Sequence, residues 1–265
     1  KLIASNVMFS TVTPTATAGF MYFYMILFNI YNIPMSGLYP SQWVGYLKTM
    51  VKICVKRSDV TNFNKPLDKE MLEMMYGSLL GDASAEKRKE GKGTRMLFYQ
   101  EGSHTDYLLF LHRLIANLGY CNSNIPKLQT RIGNNGKIRM IIRFSTWTYD
   151  QFNKMHNNWY MNGKKELPKD IDRYLSPLAL AIWIMDNGGK MGKGLKLATN
   201  NFTLNEVKQL MSMLEVKYNI KSTMHKTGAM DQYNMYMLSN SMPILVNLIK
   251  PYIIPSMKYK LGNYM

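Results

Sequence analysis

Two short segments of the chain end in residues that could take part in metal-dependent chemistry. The segment 76–83 (YGSLLGDA) contains Asp82 near its end, and the segment 180–189 (LAIWIMDNGG) contains Asp186 and Asn187 near its end. Two carboxylates that converge beside a nucleic-acid backbone can bind a divalent cation and promote phosphodiester hydrolysis. That chemistry requires the two segments to lie side by side.

The spacing of Gly77 and Gly81 gives a reason for such a pairing. The two glycines are four residues apart, and therefore lie on one face of a helix, where small residues let a second helix approach closely. Taken alone, this pattern indicates ordinary helix packing. If the second segment supplies the partner helix, the acidic residues at the two helix ends meet at the interface.

The predicted secondary structure occurs twice along the chain. In the first copy we predict a helix at 68–80, a basic loop at 86–93, a strand at 94–101 and a helix at 106–118. A hairpin of strands 127–131 and 137–147 and a helix at 149–160 follow. In the second copy we predict a helix at 177–185, a strand at 194–199 and a helix at 204–218. A hairpin of strands 222–226 and 232–238 and a helix at 243–249 follow. The repeated order indicates an α/β (α+β) protein with two similar halves on a pseudo-twofold axis.

We expect three regions, which are an N-terminal extension and linker at 1–66, a first half at 67–162 and a second half at 163–265. The extension is expected to be helical, with an amphipathic helix at 42–54. Its apolar stretch at 19–32 is shorter than the roughly 20 apolar residues of a membrane span. We therefore expect a helix packed on the main body, or a remnant of fusion to an upstream membrane protein.

The charge of the chain favours a polyanionic partner. The net charge is +16, from 33 Lys and Arg residues against 17 Asp and Glu residues. A nucleic acid and an anionic membrane surface are both compatible with that charge. Cys54 and Cys121 form no CxxC pair, and the four histidines lack zinc-ligand spacing, so we expect neither a disulfide framework nor a zinc site, and a reducing compartment.

One face of the predicted strand at 137–147 is basic and the other is apolar. A two-stranded ribbon of this kind can enter the major groove of DNA, although an ordinary solvated sheet face gives the same alternation. The apolar face would comprise Ile138, Met140, Ile142, Phe144 and Thr146. The predicted nucleic-acid contacts in both halves are Lys137, Arg139, Arg143, Lys193, Lys196, Lys226, Gln232 and Asn234.

Together with the stretches 164–177 and 248–261, the two segments resemble the single-chain LAGLIDADG family. Its members are homing endonucleases and group I intron maturases, here of the fungal mitochondrial type, and the resemblance covers about 68–262. It implies two αββαββα halves whose saddle-shaped antiparallel sheets lie on DNA. It also implies a hairpin partner for each strand that begins at Thr94 or Gly194.

The resemblance places the metal-binding acid of the first motif on Asp82 and that of the second on Asn187. Asn187 is neutral, so a Mg²⁺ ion would bind weakly or not at all. Asp186 is not expected to replace it, because adjacent helical residues point about 100° apart. Basic residues around the cleavage pocket are matched by Lys165 and Lys260, and a strand position near it is matched by Gln100.

These features favour an RNA maturase that binds its group I intron RNA and assists splicing, with a weakened or idle DNA-cleavage site. The alternative is an active homing endonuclease that cuts double-stranded DNA at its homing site, or such an enzyme trapped by an Asp-to-Asn change at Asn187. A nuclear-encoded splicing protein is a further expected partner. We expect a monomer on the matrix side of the mitochondrion.

Overall fold

The computed structural model of the protein describes residues 67–88, 93–133 and 136–265. The helices expected in the N-terminal extension lie outside the described residues, as do the centre of the predicted basic loop and the centre of the first hairpin turn. Within the described ranges, no helix is both long enough and apolar enough to cross a membrane.

The first half begins and ends with a helix. Its elements are α1 (Lys69–Leu80), β1 (Ser84–Lys87), β2 (Thr94–Glu101), α2 (Thr105–Asn117), β3 (Gln129–Ile132), β4 (Ile138–Ser145) and α3 (Phe152–Trp159). The strands form an antiparallel sheet in the order β1-β2-β4-β3.

A short connection follows, consisting of β5 (Tyr160–Met161), β6 (Lys164–Lys165) and α4 (Ile171–Tyr174). The second half then repeats the order with α5 (Pro177–Asn187), β7 (Gly188–Met191), β8 (Gly194–Ala198), α6 (Leu204–Tyr218), β9 (Ser222–Lys226), β10 (Tyr233–Met237) and α7 (Met242–Ile249). Its sheet order, β7-β8-β10-β9, corresponds to that of the first half. Both halves are therefore αββαββα units with antiparallel sheets, as predicted.

Two differences from the predicted elements have local causes. The basic loop predicted at 86–93 was wrong at its start, because Glu86 and Lys87 belong to β1 and pair with β2. This edge strand is the hairpin partner that the resemblance implied. The helix predicted from residue 149 begins at Phe152 instead, because the backbone of Tyr149 is paired with that of Thr94, with an N···O distance of 2.9 Å from Tyr149.

The two helices that end in the acidic segments, α1 and α5, pack against each other. We call them the motif helices. Every residue of α5 from Leu178 to Met185 is buried, as expected for a helix surrounded by other elements. Ser176 begins α5 by accepting a hydrogen bond from the Ala179 backbone, at 3.2 Å.

The apolar face predicted for β4 is buried only in part. Ile142 is 1% exposed, whereas Ile138 is 66% and Met140 is 49% exposed. The reason is the register, because the pairing of β2 with β4 stops at Ile141, and residues before it pair only with β3. The start of β4 thus extends beyond the sheet as a two-stranded ribbon.

Candidate functional site

Gly77 and Gly81 lie where the two motif helices meet. A Cβ atom at Gly77 would lie 2.5 Å from the carbonyl oxygen and 2.8 Å from the Cα atom of Ala179. A Cβ atom at Gly81 would lie 2.6 Å from the Cβ atom of Asp186. Because glycine has no side chain, α1 can approach α5 closely, and the ends of the two acidic segments come together.

Two carboxylates from different halves converge on one amide at this junction. Gln100 donates through Nε2 to Oδ2 of Asp82 and to Oδ1 of Asp186, at 3.0 Å in each case. Gln100 is 5% exposed, at the end of β2, whereas Asp82 is exposed and Asp186 is half-buried. The amide therefore bridges an exposed carboxylate and a more enclosed one.

Burial raises the pKa of Asp186 from 3.8 to about 8, and the neighbouring charge of Asp82 adds to the shift. A hydrogen bond from Tyr107 and the charge of Lys260 act in the opposite direction. At neutral pH Asp186 is therefore mostly protonated. The pair of carboxyl groups then carries less negative charge than two carboxylates would.

The expectation that Asp186 points away from the site was wrong. The two motif helices do not end at equivalent places, because Asp82 lies beyond the end of α1, whereas Asp186 lies within α5. Asn187 instead donates from Nδ2 to the carbonyl oxygen of Ala198 in β8, at 3.4 Å. Its Oδ1 atom is buried and accepts no hydrogen bond from the described residues.

Lys165 and Lys260 bind the carbonyl ends of the motif helices. The Nζ atom of Lys165 lies 2.9 Å from the carbonyl oxygen of Leu79 and 2.8 Å from that of Ala83. The Nζ atom of Lys260 donates to the carbonyl oxygens of Met185 and Asp186. Burial lowers the pKa of Lys165 to about 8 and also lowers the pKa of Lys260, although both carboxylates oppose these shifts.

His104 and Tyr259 complete the group around Gln100, and neither was predicted as a site residue. The Nδ1 atom of His104 lies 3.2 Å from Oε1 of Gln100, and its Nε2 atom lies 3.1 Å from the hydroxyl of Tyr259. His104 follows β2, and Tyr259 belongs to the C-terminal 3₁₀ segment Pro255–Tyr264. No local sequence pattern indicates this contact, since the two residues are 155 positions apart.

The donor set at this junction fits a hard divalent cation. No group of three or more His, Cys, Asp and Glu side chains suitable for a metal occurs within the described ranges. However, Mg²⁺ is commonly held by one or two carboxylates together with water and substrate phosphates. Asp82 and Asp186 supply that pair, provided that Asp186 loses its proton and the Gln100 amide group turns away.

The predicted nucleic-acid contacts of the first half lie on the face of its sheet opposite the buried Ile142. We call this face, and the corresponding face of the second sheet, the outer face. Arg143 is exposed and donates to Gln129, at 3.1 Å, and Arg139 pairs with Glu101, at 3.4 Å. Lys137 is exposed just before β4. Two arginines and a lysine are thus carried by strand and ribbon positions on one side of the sheet.

In the second half, the register separates the predicted contacts into two groups. Lys196 pairs with Tyr236, and Asn234 pairs with Ala198, so these side chains share one face. Lys226 instead pairs with the buried Tyr233, which puts it on the opposite face. Lys193 is exposed in the turn between β7 and β8, and Gln232 is half-buried just before β10.

The fold and the junction of two motif helices define a LAGLIDADG protein. Residues 72–245 match the LAGLIDADG DNA endonuclease family, and the chain belongs to that family. This agrees with the resemblance found in the sequence.

The chain is similar to the cytochrome b mRNA maturase bI2 of Debaryomyces hansenii, with 87% identity over 90% of this chain and 91% of the relative. It is 51% identical to the maturase of that name from Saccharomyces cerevisiae, over 84% of this chain and 55% of the relative. Among solved structures, it resembles the homing endonuclease I-WcaI bound to its DNA recognition sequence. The TM-score is 0.70 at 27% identity, over 81% of this chain and 96% of that one.

Proposed function

We propose that this chain is an intron-encoded mitochondrial RNA maturase, which binds its group I intron RNA and assists the splicing of cytochrome b mRNA. The observation that carries the proposal is the 87% identity to a cytochrome b mRNA maturase over nine-tenths of the chain. The proposed location is the matrix side of the mitochondrion. A nuclear-encoded splicing protein is a further proposed partner, and the chain is proposed to act as a monomer.

The charge of the protein supports binding to an RNA backbone. The net charge of +16 is large, and the outer sheet faces carry exposed basic side chains such as Arg143 and Lys196. Lysine and arginine contacts with phosphates provide most of the affinity that does not depend on sequence. The sheet faces are therefore the first surface to test for RNA binding.

The state of the carboxylate pair supports a weak cleavage activity. A divalent cation would have to displace the proton on Asp186, whose pKa is raised by burial to about 8. It would also have to displace the Gln100 amide from both acids. Asn187 adds no negative charge, and its side chain hydrogen-bonds to β8 instead.

A second candidate function, site-specific cleavage of double-stranded DNA, is favoured by the contact of both acids with Gln100 and by the likeness to a DNA-bound homing endonuclease. In that case Asp82 and Asp186 would hold the metal. The metal, for which we propose Mg²⁺, would supply a positive charge that stabilises the charge developing on the phosphate. Gln100 would position the two acids.

The maturase proposal is tested by splicing and binding assays on the full chain. We expect the protein to accelerate splicing of its cognate intron RNA, and to bind that RNA more tightly than a random RNA of equal length. A shuffled-sequence RNA and heat-denatured protein are the controls. Equal affinity for the cognate and random RNA, with no acceleration of splicing, would contradict the proposal.

The cleavage candidate is tested separately with a plasmid that carries the exon junction. Supercoiled plasmid is incubated with the protein and Mg²⁺ or Mn²⁺, and Asp82→Asn is the inactive control. We expect little or no linear product from the unmodified chain. Efficient double-strand cutting would establish the second function and overturn the idea of an idle site.

A further inference from the structure

We propose that His104 and Tyr259 lock the Gln100 amide between the two carboxylates, so that a divalent cation enters only when this amide turns over. We call Gln100, His104 and Tyr259 the amide latch. The inference goes beyond the proposed maturase function, because it concerns access to the cation site and not RNA. His104 and Tyr259 are positioning residues, since they reach the acids only through Gln100.

The polarity of the hydrogen bonds defines the latch. An amide nitrogen can only donate, and the two donations from Gln100 Nε2 go to Asp82 and Asp186, at 3.0 Å each. The Gln100 Oε1 atom can only accept, so His104 must carry its hydrogen on Nδ1. The Nε2 atom of His104 is then an acceptor for the hydroxyl of Tyr259.

This arrangement opposes a bound cation. The amide hydrogens of Gln100 point at Oδ2 of Asp82 and Oδ1 of Asp186, so a cation held between these two oxygens would meet the amide hydrogens. Turning the amide over would present Oε1 to the cation, which is a suitable ligand for Mg²⁺ or Mn²⁺. It would also direct the Nε2 hydrogens of Gln100 at the Nδ1 hydrogen of His104, which is an unfavourable contact between two donors.

The turnover therefore requires a coupled change along the latch. His104 must move its hydrogen from Nδ1 to Nε2, and the Tyr259 hydroxyl must then accept instead of donate. Gln100 is 5% exposed, whereas Tyr259 is 58% exposed. The latch thus runs from the buried Gln100 side chain to the exposed Tyr259 at the protein surface. It also joins β2 of the first half to the C-terminal segment of the second.

The latch is tested by Mn²⁺ binding to the full chain without nucleic acid, measured from the electron paramagnetic resonance signal of free Mn²⁺ at pH 8. At that pH His104 is neutral, because burial lowers its pKa below the ordinary value of 6.5. We expect His104→Ala to bind Mn²⁺ about ten-fold more tightly, which corresponds to about 1.4 kcal/mol. Tyr259→Phe should shift the affinity in the same direction by a smaller factor.

Two controls make the result specific. His156→Ala is a matched change at a half-buried histidine of α3 that stacks on Tyr160, and it should leave Mn²⁺ affinity unchanged. Asp82→Asn should abolish the binding that His104→Ala strengthens. Unchanged or weaker Mn²⁺ binding in both His104→Ala and Tyr259→Phe would overturn the latch. Because Tyr259 is exposed, Tyr259→Phe remains informative even if His104→Ala does not fold. RNA binding is measured in a separate assay, so that failure of the latch and failure of the maturase proposal can be distinguished.

Discussion

Lys165 and Lys260 make the same kind of contact in the two halves of the molecule, since each directs its ammonium group at the carbonyl oxygens that end a motif helix. The last carbonyls of a helix have no partner within the helix and carry partial negative charge. A buried lysine satisfies them and compensates that charge. The sequence suggested a place near the cleavage pocket for both residues, and the structure adds a helix-capping role.

Replacing either lysine with methionine should destabilise the protein. Lys165→Met or Lys260→Met keeps an unbranched side chain, one atom shorter, but leaves carbonyl oxygens without a donor, which costs about 1–3 kcal/mol. The measurement is the urea midpoint at constant m-value. Lys164→Met is the matched control, because Lys164 is exposed beside Lys165 in β6. Similar midpoints for Lys164→Met and Lys165→Met would argue against the capping role.

The close approach of the motif helices predicts a severe effect of a substitution at Gly77. In Gly77→Ala the new methyl group would meet the carbonyl oxygen of Ala179 at 2.5 Å, and backbone cannot move aside as a flexible side chain can. Overpacking of this kind costs about 1–3 kcal/mol or more. The comparison is Gly189→Ala, where no atom lies within 4 Å of the added carbon. Thermal unfolding should separate the two variants, and equal melting temperatures would contradict the tight interface.

Local signals in the sequence were sufficient for most of the elements. The bounds predicted for α6 agree with the structure at both ends. There Thr203 and Glu206 form a capping box, and Asn219 ends the helix in the left-handed conformation, with φ of 55°. Both signals lie within a few residues of the helix end, so they can be read without knowledge of the tertiary structure.

The composition of the site could be predicted only in part. Asp82, Gln100, Lys165 and Lys260 lie together at the junction of the motif helices. The partner of Asp82, however, depends on where α5 ends relative to α1. That offset is a property of the packed helices, and no local pattern around Asp186 or Asn187 indicates it. A site role for His104 is not indicated by its local sequence for a related reason, since its partner Tyr259 comes from the other half.

The raised pKa of Asp186 predicts a dependence of stability on pH. The folded protein holds this proton up to about pH 8, whereas an unfolded aspartate loses it near 3.8. The contribution of Asp186 to the free energy of unfolding is therefore complete below 3.8 and decreases as the pH rises towards 8. Asp186→Asn cannot ionise, so it should gain stability relative to the unmodified chain as the pH rises from 4 to 8.

Urea unfolding of both proteins across this pH range provides the test. Taking the difference between them removes the contributions of groups that titrate alike in both, such as His112, whose pKa is lowered by burial. A difference that stays constant from pH 4 to pH 8 would show that Asp186 has the same protonation in the folded and unfolded chain.

The outer faces of the sheets predict how nucleic-acid binding depends on salt. Arg143→Ala and Lys196→Ala each remove an exposed positive charge from an outer face. If each side chain contacts a phosphate, each change should lower the affinity. It should also reduce the slope of log K against log salt by about 0.9 for duplex DNA or about 0.7 for a single strand. Filter binding over a series of KCl concentrations measures both quantities.

Lys208→Ala is the control, because Lys208 is exposed on α6, the helix that packs against the second sheet. It changes the net charge by the same amount as Lys196→Ala, but it lies away from the outer face. Applying the three variants to intron RNA and to duplex DNA tells which surface each ligand uses. Suppose that Lys208→Ala reduces the slope of log K against log salt for RNA, while Arg143→Ala and Lys196→Ala do not. The RNA then binds the helical side of the protein, and the outer faces of the sheets are the surface for DNA.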